Sequence, residues 1–233
     1  MHSIIGIDCA TQPEKVGLAL ARVGGPLLEI EQVAVGSRQR DPASIAAAWL
    51  ADRDSVLLAL DAPLGWPTEL GHSLSQHRAG HAIAPSPDSL FHRHTDSELC
   101  KRLGKRPLEV GANLIARTAH AALALLAELR RRTGREIPLA WEPSACHGTA
   151  AIEVYPAATL MTRRFSNGPD CLELFKSEVR LPSSPLVASS GHARDAVICA
   201  IAGSDFLAGA CVSPTDLGLA MKEGWIWARR TEA

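Results

Sequence analysis

Residues 3 to 35 read SIIGIDCATQPEKVGLALARVGGPLLEIEQVAV, and this stretch decides the fold class. Ser3 to Ala10 is a short apolar run, Lys15 to Val23 alternates less cleanly, and Leu27 to Val35 alternates around Glu29 and Glu31, so three consecutive strands are predicted. Gly24 and Gly25 suit a tight hairpin between the second and third. Thr11 to Lys15 is too short for the crossover that parallel neighbours need, so the three strands form an antiparallel meander.

Beyond the meander the pattern changes. Asp41 followed by Pro42 reads as an N-cap with a first-turn proline, and Ile45, Trp49 and Leu50 recur at helical spacing, which predicts a helix over 42–52. Ser55 to Leu60 is a bounded apolar run suited to a strand buried on both faces, ending at Asp61-Ala62-Pro63. Residues 64 to 112 are rich in Gly, Pro, Ser and His and are expected to be irregular, with one helix over 96–103. An amphipathic helix over 113–132, a strand over 150–155, a loop-rich stretch over 166–191 with a short helix, and a closing helix over 192–208 complete the reading. Ala196, Ala200 and Gly203 would let that last helix approach the sheet closely. The sum is an α/β chain with a mixed sheet flanked by helices, read as one domain, 1–233, with an inserted helical and loop region at about 64–149.

Composition excludes several classes. A formal net charge of −1 and a pI near 6.8 give no global attraction to nucleic acid, although local basic patches remain compatible. No apolar run reaches the roughly 18 residues of a membrane span, and MHSIIGIDCA lacks a basic leader with a cleavage site, so a cytoplasmic location without membrane contact is expected. The six cysteines form no CxxC pair, which disfavours zinc ribbons and thioredoxin-like chemistry.

Four acids stand where an apolar run meets a turn or a polar residue: Asp8 in IIGIDCA, Asp61 in SVLLALDAPLGWP, Glu153 in AAIEVYPAA and Asp195 in HARDAVICAIAG. A carboxylate beside a buried strand is costly unless solvated, paired or bound to a cation, so four such placements suggest a shared acidic pocket suited to Mg²⁺ or Mn²⁺. Plain structural roles compete. Asp61 before Ala-Pro could turn the chain, Asp195 could favour the helix dipole with His192 or Arg194 as a solvated neighbour, and Glu142 before Pro143 competes with Glu153. Asp8, inside the most apolar stretch, is the hardest to explain structurally. His72, His77 and His81 lack the HExxH pattern and read as surface loop. The basic clusters Lys101 to Arg106 and Arg130 to Arg132 suit helix C-termini, and Trp225 and Trp227 suit strand packing.

This order of elements is that of the ribonuclease H-like fold with a five-stranded mixed sheet. The sequence itself resembles the DUF429 family of predicted ribonuclease H-like nucleases, which also looks distantly related to Holliday-junction resolvases. The resemblance rests on GIDCA at 6–10, LDAPLGWP at 60–67, RHTD at 93–96, EVYPA at 153–157, HARDAVICAIAG at 192–203 and EGWI at 223–226. It implies a metal-dependent nuclease with Asp8, Asp61, Glu153 and Asp195 as catalytic metal ligands, Asp8 bridging two ions, and nucleic acid as the partner. In that fold the first and fourth strands are neighbours, so Asp8 and Asp61 would project side by side with Asp195 approaching from the last helix. Arg93, Thr95 and Asp96, in the matching RHTD segment, are candidate substrate-binding residues. Arg93 would hold a phosphate, while Thr95 has an alternative as the cap of a helix starting at Asp96.

Two rival functions remain. An actin-like or sugar-kinase-type ATP phosphotransferase would carry a glycine-containing phosphate hairpin after the first strand, where this chain has Thr11-Gln12-Pro13-Glu14-Lys15. A catalytically silent module binding nucleic acid or protein would have no use for the carboxylates.

Overall fold

The computed structural model describes residues 2–145 and 148–231. The meander forms as expected, with β1 (His2–Asp8), β2 (Gly17–Val23) and β3 (Leu28–Val35) joined by a 3-10 turn at Pro13–Lys15 and by the glycine turn at 24–27. Helix α1 (Pro42–Leu50) follows, its N-cap Asp41 accepting from the Ser44 amide at 2.9 Å. Strand β4 (Val56–Asp61) then leads into α2 (Thr68–Ser75), α3 (Pro87–Phe91), α4 (His94–Leu103) and the long α5 (Ile115–Thr133). After these come β5 (Thr149–Glu153), α6 (Pro156–Met161), β6 (Val179–Arg180), α7 (Pro185–Ser189), α8 (Gly191–Leu207) and α9 (Leu217–Glu223).

The strands make one mixed sheet in the order β5-β4-β1-β2-β3-β6. β2 runs antiparallel to β1 and β3, while β4 is parallel to both β1 and β5. Six strands replace the expected five. β6 is only two residues long, paired to Leu28 and Glu29, and so carries no periodicity to read. The segment 64–112 also differs from expectation, holding α2, α3 and α4 in place of one helix. Helix α2 buries none of its residues and α3 only Leu90, so neither writes an apolar stripe into the sequence.

Alternation in the central strands sends side chains to two cores. Ile5, Ile7, Leu18, Leu20, Leu58 and Leu60 face α1 and α5 and pack with Trp49, Leu126 and Leu129. Ile4, Ala19, Ala21, Leu57 and Ala59 face α8 and pack with Val197, Ile201 and Phe206. Trp225 and Trp227 are buried in this second core, Trp227 edge-on to Phe206 at 4.7 Å.

Helix α8 lies on β1, β2 and β4 with its backbone against theirs. A methyl group at Gly6 would overlap the Ala196 carbonyl oxygen, and one at Gly17 would overlap that of His192. Gly203, toward the other end of the helix, instead packs against the side chains of Ile4 and Ala59. The two glycines that open the sheet face thus seat the first turns of α8 over the C-terminal end of β1, where the acids are.

Among the described residues no helix is long and apolar enough to cross a membrane. The five described cysteines are free thiols.

Candidate active site

The parallel pairing of β1 with β4 puts Asp8 and Asp61 in register as neighbours across the ladder. Both strands end at these residues, so their carboxyls stand at the sheet's C-terminal edge, the usual ligand-binding side of parallel strands. Asp195, in the second turn of α8, faces the same place, and its charge acts on both aspartates.

The electrostatics of these three acids are under-compensated. Burial pushes Asp8 up to about 6, against the pull of a hydrogen bond from His192, while Asp195 raises it further. Asp61 is driven well above the carboxylate range by burial, then by Asp8, Asp195 and Glu153. Asp195 is raised by burial, with Arg194 and His192 opposing. His192 Nδ1 stands 2.7 Å from Asp8 Oδ2, whereas Asp61 and Asp195 make no side-chain hydrogen bond or ion pair among the described residues.

Glu153 ends β5, one strand beyond Asp61, and its carboxylate is turned to another partner. Arg93 holds it with Nη1 to Oε2 at 2.8 Å and Nη2 to Oε1 at 2.7 Å. The same guanidinium donates from Nε and Nη2 to Asp96, at 3.1 and 2.9 Å, and from Nη1 to the Glu223 carbonyl at 3.2 Å. All five guanidinium hydrogens are thereby used. Burial alone would lower Arg93, yet Glu153 and Asp96 outweigh it and drive the guanidinium further up. Glu153 is pushed up by burial, with Arg93 and the Leu64 amide, 3.0 Å from Oε2, pulling it back. Gly224 passes over this pair at φ +84, where a Cβ would stand 2.8 Å from Glu153 Oε2.

Three of the candidates read from the sequence lie in this cluster and have structural partners there. Arg93 has no donor left for a phosphate, so it acts as the buried clamp between α4, β5 and α9. Asp96 spends both oxygens on Arg93 and is completely buried. Thr95 does not cap α4, which starts one residue earlier at His94; its hydroxyl accepts from the Ile226 amide at 2.9 Å. Glu223 was not singled out in the sequence, yet its carboxylate accepts from the Thr68 and His94 amides, both at 2.7 Å, and so closes the N-termini of α2 and α4. Glu142, the alternative to Glu153, is exposed.

His192 is the residue that sequence reasoning passed over as a neighbour of Asp195. A signal for it exists: it lies three residues before Asp195, on the same helical face. With Nδ1 directed at Asp8, the ring is fixed in orientation and Nε2 is left for other work.

Among the described residues no three His, Cys, Asp or Glu side chains stand together as a ready metal site. The donor set nevertheless suits a hard divalent cation. Three carboxyls raised by burial, with Asp8 and Asp61 raised further by neighbouring acids and only Asp8 paired to a histidine, are what a bound Mg²⁺ or Mn²⁺ would relieve. Glu153 is instead paired with Arg93 at 2.8 and 2.7 Å.

A cleft of about 250 Å³ opens beside Asp61, lined by Cys9, Pro107, Leu108, Ile115 and Tyr155 among others.

No curated protein matches the chain. A solved structure of RuvC from Thermus thermophilus matches with 16% identity over 57% of this chain and 96% of that one, at a TM-score of 0.15, which is too low to bear on the fold. The model of a family described as a protein of unknown function, DUF429, matches residues 6–167, a span that includes Asp8, Asp61, Arg93 and Glu153 and stops short of α8. As that span is well over half of the chain, the protein belongs to the DUF429 family.

Proposed function

We propose that this protein is a metal-dependent hydrolase of nucleic-acid phosphodiester bonds, with Mg²⁺ or Mn²⁺ held by Asp8, Asp61 and Asp195. The observation that carries the reading is the register pairing of Asp8 with Asp61 at the ends of adjacent parallel strands, under the first turns of α8. The order of the first five strands, with β2 alone reversed among the central ones, supports a ribonuclease H-like fold in which β6 is an edge addition. On this reading the chain is one domain, 1–233, with 64–149 inserted between β4 and β5, and it works in the cytoplasm.

A divalent cation bound there would supply Lewis-acid polarisation of the phosphate and a more acidic bound water. The protein's own groups do the rest. Asp8 holds His192 through Nδ1, which leaves Nε2 to take a proton from the attacking water or return one to the leaving oxygen. Arg93 keeps Glu153 occupied and fixes the floor of β5 beside Asp61. The Pro13–Lys15 turn after β1 has no glycine to bring backbone amides around a phosphate chain, which weighs against the ATP-dependent alternative.

The test incubates the purified protein with labelled DNA, RNA, hybrid and branched substrates in Mg²⁺ or Mn²⁺, alongside Asp8→Asn and Asp61→Asn. Metal-dependent cleavage lost in both variants is the expected result. Cleavage that persists unchanged in both would remove the assigned site.

A further inference from the structure

The cleft beside Asp61 has a composition unlike the acid site it adjoins. Pro107, Leu108, Ile115 and Tyr155 give it apolar walls, and Asp61, Cys9 and the paired Arg93 and Glu153 line it as well. Tyr155, the chain's single tyrosine, is half-buried there, and after burial its phenol is pushed up by the charge of Asp61, so the ring and the acid share one space. Leu108, which also lines the cleft, is 58% exposed and so is reachable from solvent. Lys105 Nζ stands 5.8 Å from the centre of the Tyr155 ring.

Resting on the hydrolase reading above, we infer that this cleft takes one unpaired nucleobase of the substrate, packed against Tyr155 and Leu108, so that the enzyme acts on single-stranded or unpaired nucleic acid. Three features select that occupant. The volume, about 250 Å³, holds one planar heterocycle and little more. The walls offer an aromatic face and aliphatic edges, which is how bases are held without sequence readout. Lys105, beside the Tyr155 ring, offers a cation to the strand's phosphates, and Asp61 in the cleft lining joins the base site to the carboxylates that would act on the adjacent ester. A base still in its duplex stack cannot enter a closed-ended cleft, and extruding one costs unstacking energy that an unpaired strand does not have to meet.

The test measures binding separately from cleavage. Fluorescein-labelled 15-mers are titrated by anisotropy into the full chain without added metal: a single strand, its duplex, and a single strand carrying consecutive abasic sites. The expected result is that the single strand binds at least about tenfold tighter than either of the others, a difference typical of one lost stacking contact. Tyr155→Ala should erase the advantage, whereas Tyr155→Phe should keep it. Because Tyr155 also packs with Leu99, Ala158 and Ile226, Leu108→Ser at an exposed position supplies a second variant without a folding cost, and it should weaken single-strand binding severalfold. Equal affinity for duplex and single strand, indifference to the abasic sites, or no binding of any strand would overturn the inference. Single-strand preference with no Mn²⁺ affinity at Asp8 and Asp61 would instead sink the metal reading and leave the base cleft standing.

Discussion

Two charged clusters lie within a few residues of each other at the same edge of the sheet, and they are built on opposite terms. Around Arg93, five guanidinium hydrogens meet five acceptors from Asp96, Glu153 and the Glu223 backbone, all buried. Around Asp8, three carboxyls are raised by burial, Asp195 adds to the rise of Asp8 and Asp61, and only Asp8 has a histidine contact. A cluster whose donors and acceptors balance has finished its work on folding. One left with excess negative charge keeps a capacity for something that folding does not supply. Both contain acids placed at the ends of apolar runs, so position alone does not distinguish them; partners do.

The largest effect should come from breaking the balanced cluster. Arg93→Ala strands Glu153 and Asp96 without a cation, and urea denaturation should show a loss of about 3 to 5 kcal/mol, as for other buried pairs deprived of one partner. If stability hardly changes, the clamp is not holding α4 to β5.

Next in size is the pH dependence of the unbalanced cluster, measured without added metal. Asp8 has a higher pKa folded, about 6, than its ordinary 3.8, so the folded chain holds the extra proton. Its contribution to stability is therefore fully present below about pH 4 and is lost as pH rises through 6, up to roughly 3 kcal/mol if the whole shift is credited to this one group. Thermal melts in chelator at pH 4.5 and pH 7.5 check the sign. Added Mg²⁺ or Mn²⁺ should restore stability more at the higher pH.

Asp61→Asn sharpens the contrast further. It should weaken Mn²⁺ binding in calorimetry by on the order of 100-fold while leaving the metal-free chain as stable or more so, because a raised carboxyl is removed. Loss of both binding and stability would mean that Asp61 is part of the frame. The smallest effect belongs to His192→Ala, which takes away the one partner of Asp8 and should lower metal affinity by about tenfold.

What could be read in the sequence follows the range over which each interaction acts. The meander, Asp8 at the end of β1 and Asp61 at the end of β4 all come from local alternation and turn chemistry, and the neighbour relation of the two strands was an expectation of the fold type. The fate of Glu153 was not legible, since its partner lies 60 residues away and only the tertiary fold brings α4 to β5. RHTD and EVYPA drew attention as motifs, and they meet in space, but as a clamp instead of a ligand set. Glu223 is the same kind of omission: a carboxylate that closes two helices cannot be recognised until both helices are placed. Helices α2 and α3 escaped because they bury almost nothing, and β6 because two residues cannot alternate.

The bare surface that Gly6 and Gly17 offer to α8 has a consequence for how this protein can change. Where main chain rests on main chain, the spacing between Asp8 and the start of α8 is set by van der Waals contact of backbone atoms and not by the size of any side chain. The core facing α1 and α5 can exchange one aliphatic residue for another and settle by small shifts, since it is packed side chain to side chain. Under the first turns of α8, at Gly6 and Gly17, there is no such slack. Drift in composition should therefore spare these two positions, where a single added methyl would alter the gauge between the acids.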